Sequence, residues 1–510
     1  MKNEHVIVVG AGIGGLAAAL ALSTRGVRVT VIDRAAHPGG KLRQVDGIDA
    51  GPTVFTMKWV FDALFSEAGE QLEQHLELEP LTLLARHAWC AGGTLDLFSD
   101  VARTADAIGT FAGAAEAKGY RAFVARSAEI YRTLTAPYIT AERPSSVVDL
   151  MRRVGLSNLG ALRRTMPFST LWDALGEFFH DPRLRQLFAR YATYVGSSPL
   201  QAPATLMLVS HVEQDGVWRL RGGMHELARA LQRLSEARGA TYRFSTKVSR
   251  LLVTNGRVTG AALENGEALA ADSVVFNGDV SALASGLLGP EATTGLKPSP
   301  RQGRSLSALT WCVRARTQGF ALQHHNVFFA EDSREEFEAL FRRREVPRAP
   351  TVSVCAQDRV REAGPSPTGL ERLLVLINAP ADGDRTGWDA AAIAAHRERA
   401  HELLLRCGLE LKDEAASVAT TPTDFEQLFP ATGGALYGQA NHGSMGSFER
   451  QGARGGLPGL FLAGGSVHPG AGVPMAAISG QLCAARVIAD DFGRRPGKGE
   501  LTLGALRRGV

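Results

Sequence analysis

The opening stretch, Met1 to Asp33, constrains the fold more than any other part of the chain. An apolar run, His5-Val6-Ile7-Val8-Val9, leads into Gly10-Ala11-Gly12-Ile13-Gly14-Gly15 and then into Leu16-Ala17-Ala18-Ala19-Leu20-Ala21-Leu22. After Gly26 a second strand-like run, Val27-Arg28-Val29-Thr30-Val31-Ile32, ends on Asp33. The order is strand, glycine turn, helix, strand, acid. In such a unit Gly10 makes the tight turn, Gly12 lets backbone approach a pyrophosphate, and Gly15 and Ala19 let helix and sheet pack closely. The helix N-terminus presents unpaired N–H groups and a positive dipole end. Asp33 falls where a carboxylate binds a ribose hydroxyl. Glycines at this spacing are a weak signal alone; the agreeing strands, helix and acid make this a dinucleotide site.

Val6 to Leu22 carries no charge, but it is shorter than the ~20 residues a membrane span needs and its glycines build a turn. No cleavable signal peptide is read there, since the fold uses the whole apolar run. At 510 residues the chain has room for two or more lobes, and 45% apolar with 21% charged residues is an ordinary globular composition. A net charge of +4 is too small to imply a nucleic-acid partner. The basic runs Arg152-Arg153, Arg163-Arg164, Arg342-Arg343-Arg344 and Arg507-Arg508 read as solvated faces, with attraction to an anionic membrane surface as the alternative. Five scattered cysteines without metal spacing suggest a reducing, cytoplasmic compartment and no disulfide frame.

Downstream, Pro38-Gly39-Gly40-Lys41-Leu42-Arg43 lets backbone pass close to a cofactor, with Lys41 or Arg43 available for phosphate. Residues from about 105 to 210 read as mostly helical, with Phe168, Leu171, Trp172, Leu175, Phe178 and Phe179 at helical spacing. Most of these apolar side chains are expected in a core; the alternative is an interfacial surface admitting an insoluble substrate. Val248–Val253, Asn255-Gly256 and Arg257–Leu263 form a hairpin pattern. Ala271–Asp279 reads as a buried strand returning to the first sheet. From about 290 to 440 alternation dominates, with strands near Ser307–Val313, Thr351–Cys355 and Arg372–Ile377. Pro298-Ser299-Pro300 and Gly364-Pro365-Ser366-Pro367 are read as surface connections, and 496–510 as a basic tail.

A second glycine constellation lies near the C-terminus. Leu457-Pro458-Gly459-Leu460-Phe461-Leu462-Ala463-Gly464-Gly465 is a buried strand that breaks on glycines. Ser466-Val467-His468-Pro469-Gly470-Ala471-Gly472-Val473-Pro474 then opens a helix running from Ala476 to Asp490. Another helix start with free N–H groups suits the redox end of a flavin, whose reduced form is negative near N1. Two such sites, so far apart in sequence, favour a long cofactor, FAD.

With these residues in hand, the chain resembles the FAD-dependent carotenoid desaturases of the phytoene type over nearly its full length. The specific segments are Asp49-Ala50-Gly51-Pro52-Thr53 and His468-Pro469-Gly470-Ala471-Gly472-Val473-Pro474. Gly433–Gly438 and Phe55–Trp59 look most like bacterial 1-hydroxycarotenoid 3,4-desaturases. Lys41 departs from the arginine many relatives carry after the glycine pair. The Gly464-Gly465 pair lacks the acid that amine oxidases of the same fold place there, which disfavours that reading.

The resemblance implies an α/β fold: a Rossmann-like FAD-binding domain of glutathione-reductase/amine-oxidase type (1–90, 216–290, 445–495), interleaved with a substrate domain of mixed sheet and membrane-facing helices (91–215, 291–444). The implied cofactor contacts are Gly10, Gly12, Ile13, Gly14, Gly15 and Asp33 at the nucleotide end, then Arg34, Gly40, Lys41 and Arg43. Gly51, Pro52, Thr53, Val248, Gly464, Gly465, Gly472, Val473 and Pro474 complete them. The implied chemistry is hydride transfer from an allylic carbon to flavin N5 with proton loss from its neighbour, introducing a C-3,4 double bond into a 1-hydroxylated or 1-methoxylated carotenoid. Phytoene desaturation or isomerisation remain alternatives within the family; an amine oxidase and a carotenoid-binding scaffold are the readings outside it. His468 is the candidate for a polar catalytic role, with a loop histidine bonded to backbone as the other reading. His211, Glu213 and Asp215, and Tyr191, Thr193 and Tyr194, are weaker clusters; the tyrosines and threonine either meet a hydroxylated end group or cap helices. The expected setting is cytoplasmic, peripheral to the inner membrane, with a carotenoid drawn from lipid and oxygen or a quinone as final electron acceptor.

Overall fold

A computed structural model describes residues 4–155, 159–297, 300–359 and 369–493. The connections expected at Pro298-Ser299 and Gly364–Pro367, and the basic tail, lie outside the described residues.

The glycine-turn unit forms as read: strand His5–Val9, helix Ile13–Thr24, strand Arg28–Ile32. It sits at the middle of a five-stranded parallel sheet, ordered Leu460–Leu462, Ser273–Phe276, His5–Val9, Arg28–Ile32, Thr241–Arg243. Alternation along the strands builds two cores. Val6, Val8, Val29 and Val31 pack against the helices Ile13–Thr24, His225–Ala237 and Val473–Asp491. Ile7, Ile32, Val274 and Phe276 face the other way, onto a three-stranded antiparallel sheet that contains the Asn255-Gly256 hairpin. Both turn residues adopt positive φ, 49° at Asn255 and 74° at Gly256, as the tight hairpin requires.

The second sheet has seven strands, ordered Leu409–Thr420, Ser307–Gly319, Glu371–Ala379, Val352–Ala356, His325–Phe329, Leu83–Trp89, Thr94–Phe98. Leu83–Trp89 runs parallel to His325–Phe329 and antiparallel to Thr94–Phe98, so residue 90 falls between two paired strands. Helix Ala390–Arg406, unmarked by the alternation of its surroundings, covers the sheet through Ala400, Leu403 and Leu404. The region 105–210 is helical, with its own aromatic core of Tyr120, Phe123, Phe179 and Phe188. One local expectation needs correction. The helical spacing from Phe168 to Phe179 yields a helix only at Leu171–Leu175, because the Thr170 hydroxyl caps it by accepting the Asp173 N–H and Gly176 closes it. Phe168 lies before that cap and is 90% exposed.

Candidate functional site

A single cavity of about 1580 Å³ lies beyond the carboxyl ends of the parallel strands, where Gly10, Asp33, Asn277 and Gly464 follow them. Ligands in open α/β sheets bind in this crevice. Its wall continues along the seven-stranded sheet through Val327, Val354 and Leu374, and along the helical lobe through Leu134, Leu206 and Val209.

Two helices begin at this cavity without side-chain caps. Gly12 precedes helix Ile13–Thr24, Gly472 precedes helix Val473–Asp491, and both glycines are in the wall. Their free N–H groups and positive dipole ends therefore face one space. The helices are held together where they cross: a Cβ at Gly480 would stand 2.2 Å from the Gly14 carbonyl oxygen. Only glycine permits that approach.

The glycine turn is trimmed to bare backbone. A Cβ at Gly14 would lie 2.7 Å from Gly464 Cα, and one at Gly15 2.1 Å from the Gly10 carbonyl oxygen. Asn277 sits under this turn, its amide donating to the Gly10 carbonyl at 3.1 Å. Gly39 N–H donates to Ala11 O, which lays Gly40 over Gly12. Asp33 accepts the Ala11 N–H at 2.6 Å and the Ala35 N–H at 2.7 Å while lining the cavity. A narrow cradle of backbone donors with an acid at its edge fits the phosphates and ribose of a dinucleotide.

Gly51, Pro52 and Thr53 line the same cavity as the Gly464–Gly465 and Gly472–Pro474 segments. A Cβ at Gly51 would be 1.8 Å from the Lys41 carbonyl oxygen, so this loop also depends on glycine. Buried Asp49 anchors it, accepting the Met224 N–H at 2.6 Å at the start of helix His225–Ala237; burial raises the pKa of its carboxyl. Buried Arg450 organises the glycine loops from behind, donating to Gly465 O, Tyr437 O and Gln439 O at 2.9, 3.1 and 2.6 Å.

Every expected cofactor contact except Gly15 lines this cavity. Gly15 instead closes the turn, where a Cβ would collide with Gly10 O, which is a packing role. Arg34, Lys41 and Arg43 are in the wall, with their cations turned to the segment 420–436. Arg34 donates to Gln427 O at 2.5 Å, and Lys41 Nζ donates to Leu436 O at 2.5 Å and lies over the Phe429 ring. Arg43 donates to Thr420 Oγ1 at 2.8 Å. Desolvation lowers the Lys41 amine to about 8.

His468 is not part of the wall. Its Nε2–H donates to the Tyr138 and Ala141 carbonyls, each at 3.0 Å, and burial lowers its pKa to about 4, so it is a neutral histidine tying loop to helix. Of the two readings of His468, a polar catalytic role or a loop histidine bonded to backbone, these two hydrogen bonds match the second. Of the weaker clusters, Thr193, Tyr194 and Glu213 reach the wall, whereas Tyr191, His211 and Asp215 do not. Asn277, Arg450 and Gly480 escaped the reading of the sequence. Asn277 lies within the stretch read as strand, which in the structure ends at Phe276, and nothing in the local sequence marks the other two.

The model of the flavin containing amine oxidoreductase family matches residues 13–488. The hydroxyneurosporene desaturase of Rubrivivax gelatinosus is 53% identical over 498 residues, covering 96% of this chain and 94% of that protein. The hydroxyneurosporene desaturase of Cereibacter sphaeroides is 43% identical over 493 residues, covering 95% and 97%. Among solved structures, wild-type putrescine oxidase bound to putrescine superposes with a TM-score of 0.58 at 16% identity over 95% of this chain and 99% of that one, which shows the shared fold. The cradle of backbone donors, the paired helix starts and the matched sequence converge: this chain belongs to the flavin-containing amine oxidoreductases, an oxidoreductase with FAD as its cofactor.

Proposed function

We propose that this enzyme desaturates an acyclic, 1-hydroxylated or 1-methoxylated carotenoid at C-3,4. The observation that carries the reading is the continuity of one cavity from the two uncapped helix starts into a long wall of leucine and valine side chains. The names of the two relatives agree with it. FAD, when bound, would supply the acceptor for the hydride leaving the allylic carbon, and the neighbouring carbon would lose its proton as the double bond forms. The chain itself positions the polyene and excludes water, and the polyene's own delocalisation spreads the positive charge that develops. For that reason a strong base at the reacting carbon is not required, in keeping with a neutral His468 outside the wall.

Access from lipid belongs to the same proposal. Leu150 and Leu162 in the wall come from helices Val147–Val154 and Leu159–Arg164. The same region exposes Val148 (73%), Met151 and Phe168, beside Arg152, Arg163 and Arg164. Apolar side chains flanked by arginines suit the interface of an anionic membrane. Among the described residues no helix is long and apolar enough to cross a membrane.

The test is anaerobic mixing of the FAD-loaded protein with hydroxyneurosporene in liposomes. The expected result is bleaching of the flavin's visible band and a red-shifted carotenoid lighter by two hydrogens. A flavin that stays oxidised with hydroxyneurosporene but is reduced by putrescine would replace this reading with amine oxidation.

A further inference from the structure

Several polar side chains of the cavity wall are engaged by the protein itself. Asp33 accepts backbone N–H groups, Lys41 donates to Leu436 O, and Tyr194 accepts from Arg190 and donates to Glu213. Tyr437 is different. Its backbone is fixed, the N–H donating to Ser305 Oγ at 3.0 Å and the carbonyl accepting from Arg450 Nη2 at 3.1 Å. Its hydroxyl has no hydrogen-bond partner among the described residues.

That hydroxyl is also open. The residue keeps accessible surface, and its oxygen is not among the sealed, unpaired atoms of the interior. Tyr437 nevertheless lies deep in the protein, where burial pushes its phenol up to about 12. A group that is deep, accessible and in the cavity wall presents its surface to the cavity. At neutral pH the phenol carries its proton, so it offers an O–H donor to whatever occupies that space.

Contacts on both sides fix its position. Arg450 spans from Tyr437 O to Gly465 O, donating to them at 3.1 and 2.9 Å, so one guanidinium's width separates the tyrosine backbone from the glycine pair. At the next residue, a Cβ on Gly438 would stand 2.9 Å from Ser466 Cβ. On the other side the ring lies against Gly196 of the helical lobe, where an added Cβ would be 2.5 Å from Tyr437 Cδ2. Tyr437 therefore stands where the segment expected at the redox end of FAD meets the helical lobe. Asn378, on strand Glu371–Ala379, also lines the cavity with an unpaired amide, but no contact among the described residues ties it to the glycine pair.

In a 1-hydroxylated or 1-methoxylated polyene the oxygen is only a few bonds from C-3 and C-4, so its anchor has to lie close to the redox end. Resting on the function proposed above, we infer that Tyr437 determines end-group specificity: its hydroxyl donates a hydrogen bond to the C-1 oxygen of the substrate. An ether oxygen accepts as a hydroxyl does, so both oxygenated end groups fit. A hydrocarbon end would leave the donor without a partner, and a site built to hydrogen-bond an oxygen discriminates against the analogue lacking it.

The experiment compares kcat/KM for hydroxyneurosporene and neurosporene in liposomes, using FAD-loaded wild type and Tyr437→Phe, and titrates each apoprotein with FAD. The wild type is expected to favour the hydroxylated substrate by on the order of 10-fold or more. Tyr437→Phe keeps the ring against Gly196 and removes the donor. The ratio is then expected to fall by roughly 3- to 10-fold, through the hydroxylated substrate, with FAD affinity unchanged. An unchanged ratio in the FAD-loaded variant overturns the inference; if FAD binding is weakened as well, the hydroxyl serves the flavin instead. Equal use of both carotenoids by the wild type overturns it too, as does a ratio that falls with Asn378→Leu but not with Tyr437→Phe. A wild type that converts neither carotenoid overturns the proposed function, and this inference falls with it.

Discussion

Replacing Gly480 by alanine adds one methyl group where the last helix crosses the first. That Cβ would lie 2.2 Å from the Gly14 carbonyl oxygen, 2.9 Å from the Ala17 Cβ and 2.9 Å from the Ala18 nitrogen. Two of the three obstacles are backbone, so no side-chain rotation relieves them. To lengthen the 2.2 Å contact to 3.0 Å the helices have to part by roughly 0.8 Å, and overpacking of this kind costs about 1–3 kcal/mol. The displacement is carried to both cavity-facing helix starts, because Gly14 is in the first turn of one helix and Gly472 caps the other. FAD affinity is therefore expected to fall by roughly tenfold or more, the equivalent of about 1.4 kcal/mol. The assay is a flavin-fluorescence titration of apoprotein, paired with chemical denaturation of the same sample. Gly387→Ala serves as control: no atom lies within 4 Å of its Cβ, and surface changes of this type stay within about ±0.5 kcal/mol. An alanine at 480 that binds FAD as tightly as the wild type, with unchanged stability, would refute the view that this crossing sets the geometry of the site.

Acid should destabilise the protein steeply. Burial holds His324 at about 3 and His325, His442 and His468 at about 4, each below its ordinary value of 6.5. The unfolded chain then binds more protons than the folded one between pH 6.5 and about 4, so stability falls with pH by on the order of 1.4 kcal/mol per unit for each histidine. Denaturation midpoints that stay flat from pH 6.5 to 5 would contradict this. Glu336 acts in the opposite sense: burial raises its carboxyl from 4.5 to about 7, against hydrogen bonds from the Thr351 hydroxyl and N–H. The folded state binds more protons between pH 4.5 and 7, stability is lost as pH rises through that window, and Glu336→Gln should recover up to about 3 kcal/mol at pH 8. A Gln variant less stable than wild type at pH 8 would sink that account. Val148→Ser with Phe168→Ser should weaken sedimentation with anionic vesicles by roughly tenfold or more, since each buried apolar side chain contributes about 1.5–3 kcal/mol, while folding is unaffected. Equal vesicle binding would remove the membrane-facing role of this patch.

Some features of the site were legible before any coordinates. The strand at Val6–Val9, the turn at Gly10–Gly15 and the helix start at Gly472–Pro474 are local patterns, in which glycine or residue alternation leaves few conformations open. Other features were not. Leu83–Trp89 carries no mark that its partner is His325–Phe329, more than two hundred residues on, and the expected boundary at 90 sits beside it. Phe168 falls outside the helix because helical spacing continues through a stretch that the Thr170 cap interrupts. Arg190 resembles the chain's other arginines in sequence; only burial beside Tyr194 and Glu213 distinguishes it.

The amino-acid order alone pointed to a glycine turn opening a helix at the start of the chain and to a second glycine-led helix start near its end, and so favoured a long cofactor. The two helix starts are matters of spacing within a few consecutive residues, where backbone sterics dominate. Tertiary structure decided that the two helix starts share a cavity, through a crossing at Gly14 and Gly480 separated by most of the chain. It also tied His468 to the Tyr138 and Ala141 carbonyls and placed Arg190 in the cavity wall. Burial and hydrogen-bond partnership are properties of neighbours in space, and residues hundreds of positions apart become neighbours only when the whole chain is packed.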